Sequence, residues 1–192
     1  KMHYSAEKTA SIREKYDPAF DPDKARSWFK TDMTAVPKMA LRLVFNSVAS
    51  VNQVNKLADH YRDKYGLQDK DIAFFGMSQG GAIATYAAIA RKEPCAGVVN
   101  HSGMFFGFAR AKSKPDVLMI RGEDDNILCD NKSKWKKFFV APEGALRRLK
   151  RRSIPVTEIV CSHLGHDMND ESLAHATEFL ADAFRVPVSE AV

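Results

Sequence analysis

A single serine, Ser78, lies between glycines in the stretch GMSQGG, which covers residues 76–81. An apolar run, DIAFF (71–75), precedes this stretch, and an alanine-rich segment follows it. Glycines two residues before and after a serine let a strand turn sharply into a helix, because larger side chains would collide with the neighbouring backbone. Gly76 and Gly80 occupy those positions here. The pattern predicts a nucleophilic serine exposed at the end of a sheet, and the alternative is a glycine-rich turn that contains an incidental serine.

A nucleophilic serine needs a base, and the base needs a carboxylate that orients it. Acidic residues follow one later apolar run, DVLMIRG (116–122), and histidines follow the next, VTEIVCS (156–162). The acidic candidates are Glu123, Asp124 and Asp125, and the basic candidates are His163 and His166. The order serine, acid, histidine, with each group placed after a predicted strand, indicates acyl transfer through a catalytic triad.

Zinc is the main alternative use of the histidines. Cys161, His163 and His166 are residue types that bind zinc, but no fourth ligand lies at suitable spacing. We therefore expect no metal ion and no other cofactor.

Strands and helices alternate through most of the chain. The apolar runs predict strands at 71–76, 96–103, 116–122 and 156–162, and helical spacing predicts helices at 48–65, 79–91 and 169–184. Strands that are apolar on both faces and alternate with helices predict an α/β fold, with a mainly parallel sheet and helices on both faces. The first thirty residues are polar, contain two prolines and are expected to be rich in loops.

The 192 residues are 45% hydrophobic and carry a net charge of +5, which is typical of one globular domain over 1–192. Two basic runs, KSKWKK (132–137) and RRLKRRS (147–153), hold most of the excess charge. They indicate either a solvated helical face or a weak contact with an anionic membrane, and no nucleic-acid motif accompanies them. Three scattered cysteines, with no apolar run near the amino terminus, favour a cytoplasmic protein without disulfides.

The chain resembles the phospholipase/carboxylesterase family of α/β-hydrolases, which includes the acyl-protein thioesterases. The resemblance covers roughly residues 26–184 and rests most specifically on GMSQGG and on the ordered acid and histidine motifs. The supporting motifs are SWF (27–29), NHSG (100–103), RGEDDNIL (121–128) and GHDM (165–168).

The resemblance implies a serine hydrolase that cleaves carboxylic esters or thioesters of small acyl substrates or acylated proteins. It assigns the triad acid to Asp125 and the base to His166, with Ser78 as nucleophile. The backbone N–H of Gln79 is one oxyanion donor by its position after the nucleophile. The family's second donor follows an earlier strand beside a His-Gly pair, but no glycine precedes Gly66. We therefore expect the first strands and that loop to lie outside the sequence, and the alternative is a natural variant with a damaged oxyanion hole.

Several apolar residues near the predicted site are candidates for an acyl pocket, or else for the core. These are Trp28, Met77, Met104 and Phe105. Two other functions remain open, namely a non-catalytic hydrolase-fold protein that binds an apolar ligand or an anionic membrane, and a hydrolase of peptides or lactones. The sequence leaves the acyl-chain length and the oligomeric state open.

Overall fold

The computed structural model describes residues 6–15, 21, 36–105, 110–127 and 142–185. The chain divides into two compact units, Lys1–Val48 and Ala49–Val192, and the expectation of a single domain stays a prediction. Helix α1 (Ala6–Lys15) lies in the first unit, and α2 (Val36–Tyr65) begins there. The expectation of loop at the amino terminus is thus wrong for α1. Its sequence, AEKTASIREK, consists mostly of strong helix formers and ends before the two prolines.

A four-stranded parallel sheet, in the order β1-β2-β3-β4, forms the centre of the second unit. The strands are β1 (Ala73–Met77), β2 (Gly97–His101), β3 (Val117–Gly122) and β4 (Val156–Cys161). They confirm the four predicted strands, because buried strands of a parallel sheet form continuous apolar runs between turns. All the carboxyl ends lie at one edge of the sheet, where Met77 pairs with His101 and Gly122 with Cys161.

Helices cover both faces of this sheet. Helix α3 (Gln79–Ala90) packs on the face toward which Asn100 points, since the Asn100 Nδ2 donates to Thr85 Oγ1 at 2.9 Å. Val99 points to the opposite face and packs in a buried cluster with Leu118 and with Ala176 of α5 (Asp170–Phe184). Because alternate strand residues face opposite sides, α3 and α5 lie on opposite faces, as predicted.

Helix α4 (Pro142–Lys150) precedes β4 and carries the first four residues of the second basic run, whose last three residues form the turn after the helix. Part of that run is structural, because Arg148 Nη1 donates to the Phe105 carbonyl at 3.1 Å and the Arg152 guanidinium lies 5.7 Å from the Phe105 ring centre. Arg147, Lys150 and Arg151 are exposed. The first basic run, 132–137, lies outside the described residues.

Arg91 ties the carboxyl end of α3 to α2 and to the turn after it. Its side chain is only 4% exposed, and its guanidinium bonds to Asn55 at 3.0 Å, to Asp59 at 2.7 Å and to Asp69. A buried cation of this kind is stable only when carboxylates and hydrogen bonds compensate it. Within the described ranges, no helix is both long and apolar enough to cross a membrane.

Candidate active site

Ser78 occupies the tight turn between β1 and α3 with a backbone φ of +53°. Such a conformation costs a residue other than glycine about 1–3 kcal/mol, and it is found most often at functional sites. A Cβ on Gly76 would stand 2.7 Å from Gly81 N and closer still to the Gly80 carbonyl, which explains the glycine there. The Ser78 N–H also donates to the His101 carbonyl at 2.7 Å, so β2 fixes the turn.

Ser78, His166 and Asp125 form one hydrogen-bonded chain at the carboxyl edge of the sheet. His166 Nε2 lies 2.9 Å from Ser78 Oγ, and His166 Nδ1 lies 2.8 Å from Asp125 Oδ2. An ionised carboxylate can only accept, so Nδ1 carries the hydrogen and Nε2 presents its lone pair to the serine hydroxyl. The arrangement can therefore move a proton from the hydroxyl to the imidazole and stabilise the resulting imidazolium.

Only one of the three acidic candidates takes part in these hydrogen bonds with His166. Asp125 is 0% exposed, whereas Glu123 and Asp124 are exposed in the turn before it. The second carboxylate oxygen, Asp125 Oδ1, accepts the Ile127 N–H at 3.1 Å, which holds the carboxylate plane toward the imidazole. The sheet edge thus brings together the acid and base that the family resemblance selected.

The two histidines of the following loop differ in the same way. His166 is partly buried against Asp125, while His163 is exposed with a backbone φ of +57°. The structure therefore places His163 outside the hydrogen-bonded chain, in a turn of the loop.

Backbone contacts hold the turn at 123–125, which contains Asp125, against the loop at 162–169, which contains His166. The Glu123 N–H donates to the Cys161 carbonyl and the Asp124 N–H to the Leu164 carbonyl, each at 2.9 Å. Gly122 lies directly beneath this loop, and an added Cβ would stand 2.5 Å from the Leu164 carbonyl carbon and closer still to its oxygen. Gly122 is a positioning residue that sequence reasoning missed, because its close neighbour is far along the chain.

Asn100 is a second positioning residue that the sequence did not reveal. Its amide donates to Thr85 Oγ1, and that hydroxyl donates to the Gly81 carbonyl at 2.9 Å. A Cβ on Gly81 would meet Asn100 Oδ1 at 2.7 Å. This polar link joins β2 to the first turn of α3. The available signal was a polar residue that directly follows the apolar pair Val98 and Val99 in a buried strand.

The predicted oxyanion donor, the backbone N–H of Gln79, belongs to the first residue of α3. The helix dipole places partial positive charge at this end, and the first turn closes when the Ala82 N–H donates to the Ser78 carbonyl at 3.2 Å. The donor role of Gln79 and the location of a second donor outside the sequence stay predictions.

The candidate pocket residues have different positions. Met77 and Met104 are partly buried near the carboxyl ends of β1 and β2, where a ligand of a parallel sheet binds. Phe105 is 0% exposed, and its ring centre lies 5.0 Å from that of Tyr86. This placement makes Phe105 a core side chain, and it argues against direct contact with a substrate. Trp28 lies outside the described residues.

The cysteine and histidines of the zinc alternative do not form a metal site. Among the residues that the structure describes, no group of three His, Cys, Asp or Glu side chains could hold a metal ion. Cys161 is 0% exposed, and burial, with a smaller contribution from Glu171, raises the pKa of its thiol. The thiol is therefore protonated near neutral pH, a form that binds metals poorly.

Comparison with known families and structures identifies the family and the fold. A family model described as Phospholipase/Carboxylesterase matches residues 16–129. Three similar solved structures are esterase PE8, SOBER1 from Arabidopsis thaliana and a carboxylesterase from Bacillus cereus. Their sequence identities are 24%, 20% and 20%, with TM-scores of 0.67, 0.62 and 0.56. The alignments cover 81%, 83% and 72% of this chain, and 69%, 74% and 62% of the other chains. At this level of identity the structures show a shared α/β-hydrolase fold.

Proposed function

The chain belongs to the phospholipase/carboxylesterase family, and from that membership and its site we propose that it cleaves carboxylic esters or thioesters of acyl substrates through Ser78, His166 and Asp125. Family membership supports ester hydrolysis in general. The observation that carries the finer proposal is the continuous contact from the Ser78 hydroxyl through both nitrogens of His166 to the buried carboxylate.

In the proposed acylation step, Ser78 Oγ forms a bond to the acyl carbon while His166 Nε2 accepts the hydroxyl proton. The carbonyl π electrons move to the oxygen, which becomes an oxyanion. The imidazolium is stabilised by Asp125, because the carboxylate accepts the Nδ1 hydrogen at 2.8 Å and is shielded from water. Collapse of the intermediate expels the alcohol or thiol, which takes the proton from Nε2 and leaves an acyl-serine.

Deacylation repeats the same proton transfers with water. His166 removes a proton from a water molecule as its oxygen attacks the acyl-serine, and the proton then returns to Ser78 when the carboxylic acid leaves. The Gln79 N–H at the start of α3 is suited to stabilise the oxyanion in both steps. Removal of one such donor typically lowers the rate about 100- to 1000-fold.

An acyl substrate fits the surroundings of the serine better than a strongly polar one. Met77 precedes Ser78 in the chain, and Met104 follows Gly103, which packs against the Ser78 backbone. Both methionines are partly buried, and thioether side chains accommodate apolar groups of different shapes. Short and medium acyl esters, acyl thioesters and acylated proteins are the candidate substrates. Two of the similar structures carry names that state an esterase and a carboxylesterase, and this supports oxygen esters as the first substrates to try.

The test is hydrolysis of p-nitrophenyl butyrate and of an acyl thioester by the wild-type chain and by pairs of matched variants. Ser78→Ala and His166→Ala should each lower kcat by about 10⁴-fold or more, because the triad acts as a unit. His163→Ala is the matched control for the histidine and Asp124→Asn for the carboxylate, since both residues are exposed outside the hydrogen-bonded chain.

Asp125→Asn should abolish most activity while Asp124→Asn retains it. Equal activity of the wild-type chain and Ser78→Ala would contradict the proposal. Loss of activity in His163→Ala but not in His166→Ala would contradict the assigned base.

A further inference from the structure

Three consecutive residues at the end of β2 contain buried polar atoms that have no hydrogen-bond partner within the described part of the chain. These atoms are Asn100 Oδ1, both ring nitrogens of His101 and Ser102 Oγ. The three residues are 0%, 0% and 2% exposed. A buried polar group without a partner destabilises a fold, so natural proteins contain few of them and each needs a physical explanation.

His101 is the most unusual of the three. It pairs with Met77 in β1 and Ile120 in β3, and its own backbone carbonyl accepts the Ser78 N–H. The neighbouring Val99 and Ile120 are buried and apolar. A leucine at this position would pack against these apolar neighbours and would bury no unpaired polar atom.

His101 and His166 both contact Ser78, the first through its backbone carbonyl and the second through Nε2. The titratable groups near the His101 ring are His166 and Asp125 of the hydrogen-bonded triad, and the exposed Asp167. Burial lowers the pKa of His101, the nearby His166 lowers it further, and Asp125 and Asp167 oppose the shift. The ring is therefore neutral near pH 7, and a neutral imidazole has one donor nitrogen and one lone pair. The adjacent strand residues, Met77 and Ile120, carry no charge.

We propose that His101 is a positioning residue for the hydrolysis, whose ring dipole stabilises the charge that His166 acquires in each transition state. The inference rests on the proposed function. A neutral imidazole that presents its lone pair toward His166, and that has no hydrogen-bond partner among the described residues, stabilises positive charge as it develops there. Residues of this kind reduce stability in exchange for activity, a trade-off that is common at active sites.

The proposal predicts that activity and stability change in opposite directions when the polar ring is replaced. His101→Leu should raise the urea midpoint of unfolding and lower kcat for p-nitrophenyl butyrate by about tenfold, with KM unchanged. This is less than the 100-fold or larger effect of losing a direct oxyanion donor. His101→Gln supplies a donor and an acceptor again and should recover most of the lost kcat.

Ser113→Ala is the matched control for removal of a buried polar group. Ser113 is 6% exposed, and its hydroxyl donates to the Ala88 carbonyl at 3.1 Å near the opposite end of the sheet. This variant should lower the urea midpoint without changing kcat, because a satisfied hydrogen bond is lost far from His166.

A pH series gives a second, independent measurement. In the unfolded chain His101 binds a proton below about pH 6.5, whereas burial lowers its pKa in the folded chain. The unfolded state therefore binds more protons as pH falls, and this residue then lowers the free energy of unfolding. The urea midpoint of His101→Leu should therefore fall less steeply than that of the wild type between about pH 6.5 and pH 5.

Unchanged kcat in His101→Leu, or failure of this variant to fold as stably as the wild type, would overturn the inference. Parallel losses of kcat and stability would do the same, since they indicate an ordinary packing role. A wild-type chain whose activity does not depend on Ser78 would refute the proposed function instead, and the Ser78→Ala variant measured in the same assay distinguishes the two failures.

Discussion

Gly122→Ala adds one methyl group at the point where β3 meets the loop that carries His166. The new Cβ would stand 2.5 Å from the Leu164 carbonyl carbon and closer still to the oxygen, with the Gly165 carbonyl also nearby. Ordinary contacts between carbon atoms are about 3.5–4.0 Å. The backbone of the loop must therefore move by about 1 Å, because neither contact involves a flexible side chain.

This movement would separate the groups that the proposed reaction needs together. The Leu164 carbonyl accepts the Asp124 N–H at 2.9 Å, and displacement of the loop weakens that bond. His166 follows two residues later and would shift relative to Ser78 and Asp125. A misplacement of about 1 Å in a catalytic constellation can lower the rate by about 100-fold. Added volume in a packed site also destabilises a fold by about 1–3 kcal/mol.

We therefore expect Gly122→Ala to lower kcat/KM for p-nitrophenyl butyrate by about 100-fold while the chain remains folded. The assay pairs steady-state kinetics with circular dichroism at the assay temperature. Gly165→Ala is the matched control on the same loop, because a Cβ there would meet nothing within 4 Å. Wild-type kcat/KM in a folded Gly122→Ala variant, or an equal loss in Gly165→Ala, would refute this reasoning.

Two further substitutions test the packing of α3. Arg91→Leu should lower the free energy of unfolding by about 1–3 kcal/mol, measured by urea denaturation, because the largely buried Asp69 would lose its hydrogen bond from Arg91 while it keeps Arg62 at 3.2 Å. Burial alone raises the pKa of Asp69, but hydrogen bonds from Arg91 and Arg62 lower it overall, so wild-type stability should fall as pH drops below about 4. This loss of stability at low pH should be smaller in Arg91→Leu. An identical dependence of stability on pH in the variant and the wild type would contradict the role of Arg91 in lowering the pKa of Asp69. Thr85→Val should cost about 1–3 kcal/mol by the same measurement, since the buried amide of Asn100 would lose its acceptor, and unchanged stability would contradict it.

The sequence predicted the sheet because its strands are buried on both faces and therefore form apolar runs between turn residues. The turn at Ser78 was predictable for a similar local reason, since Gly76, Gly80 and Gly81 lie within three residues of the serine. The last helix was also clear, because Asn169 accepts the Ser172 N–H at 2.9 Å as a local cap.

Features that depend on contacts between distant residues were not predictable in this way. Gly122 contacts the Leu164 backbone, and Asn100 bonds to Thr85 across the sheet and helix. Phe105 was a candidate pocket residue because it follows a strand, but its side chain is buried and packs against the Tyr86 ring. The choice of Asp125 and His166 over their neighbours came from family resemblance, since local spacing alone allowed each alternative.

The most direct test of the proposed nucleophile is reaction of the chain with a fluorophosphonate probe, followed by mass spectrometry of the peptide that contains Ser78. The proposed triad predicts a covalent adduct on Ser78 that disappears in Ser78→Ala and forms much more slowly in His166→Ala. An adduct on another residue, no adduct, or labelling of Ser78 at the wild-type rate in His166→Ala would contradict it.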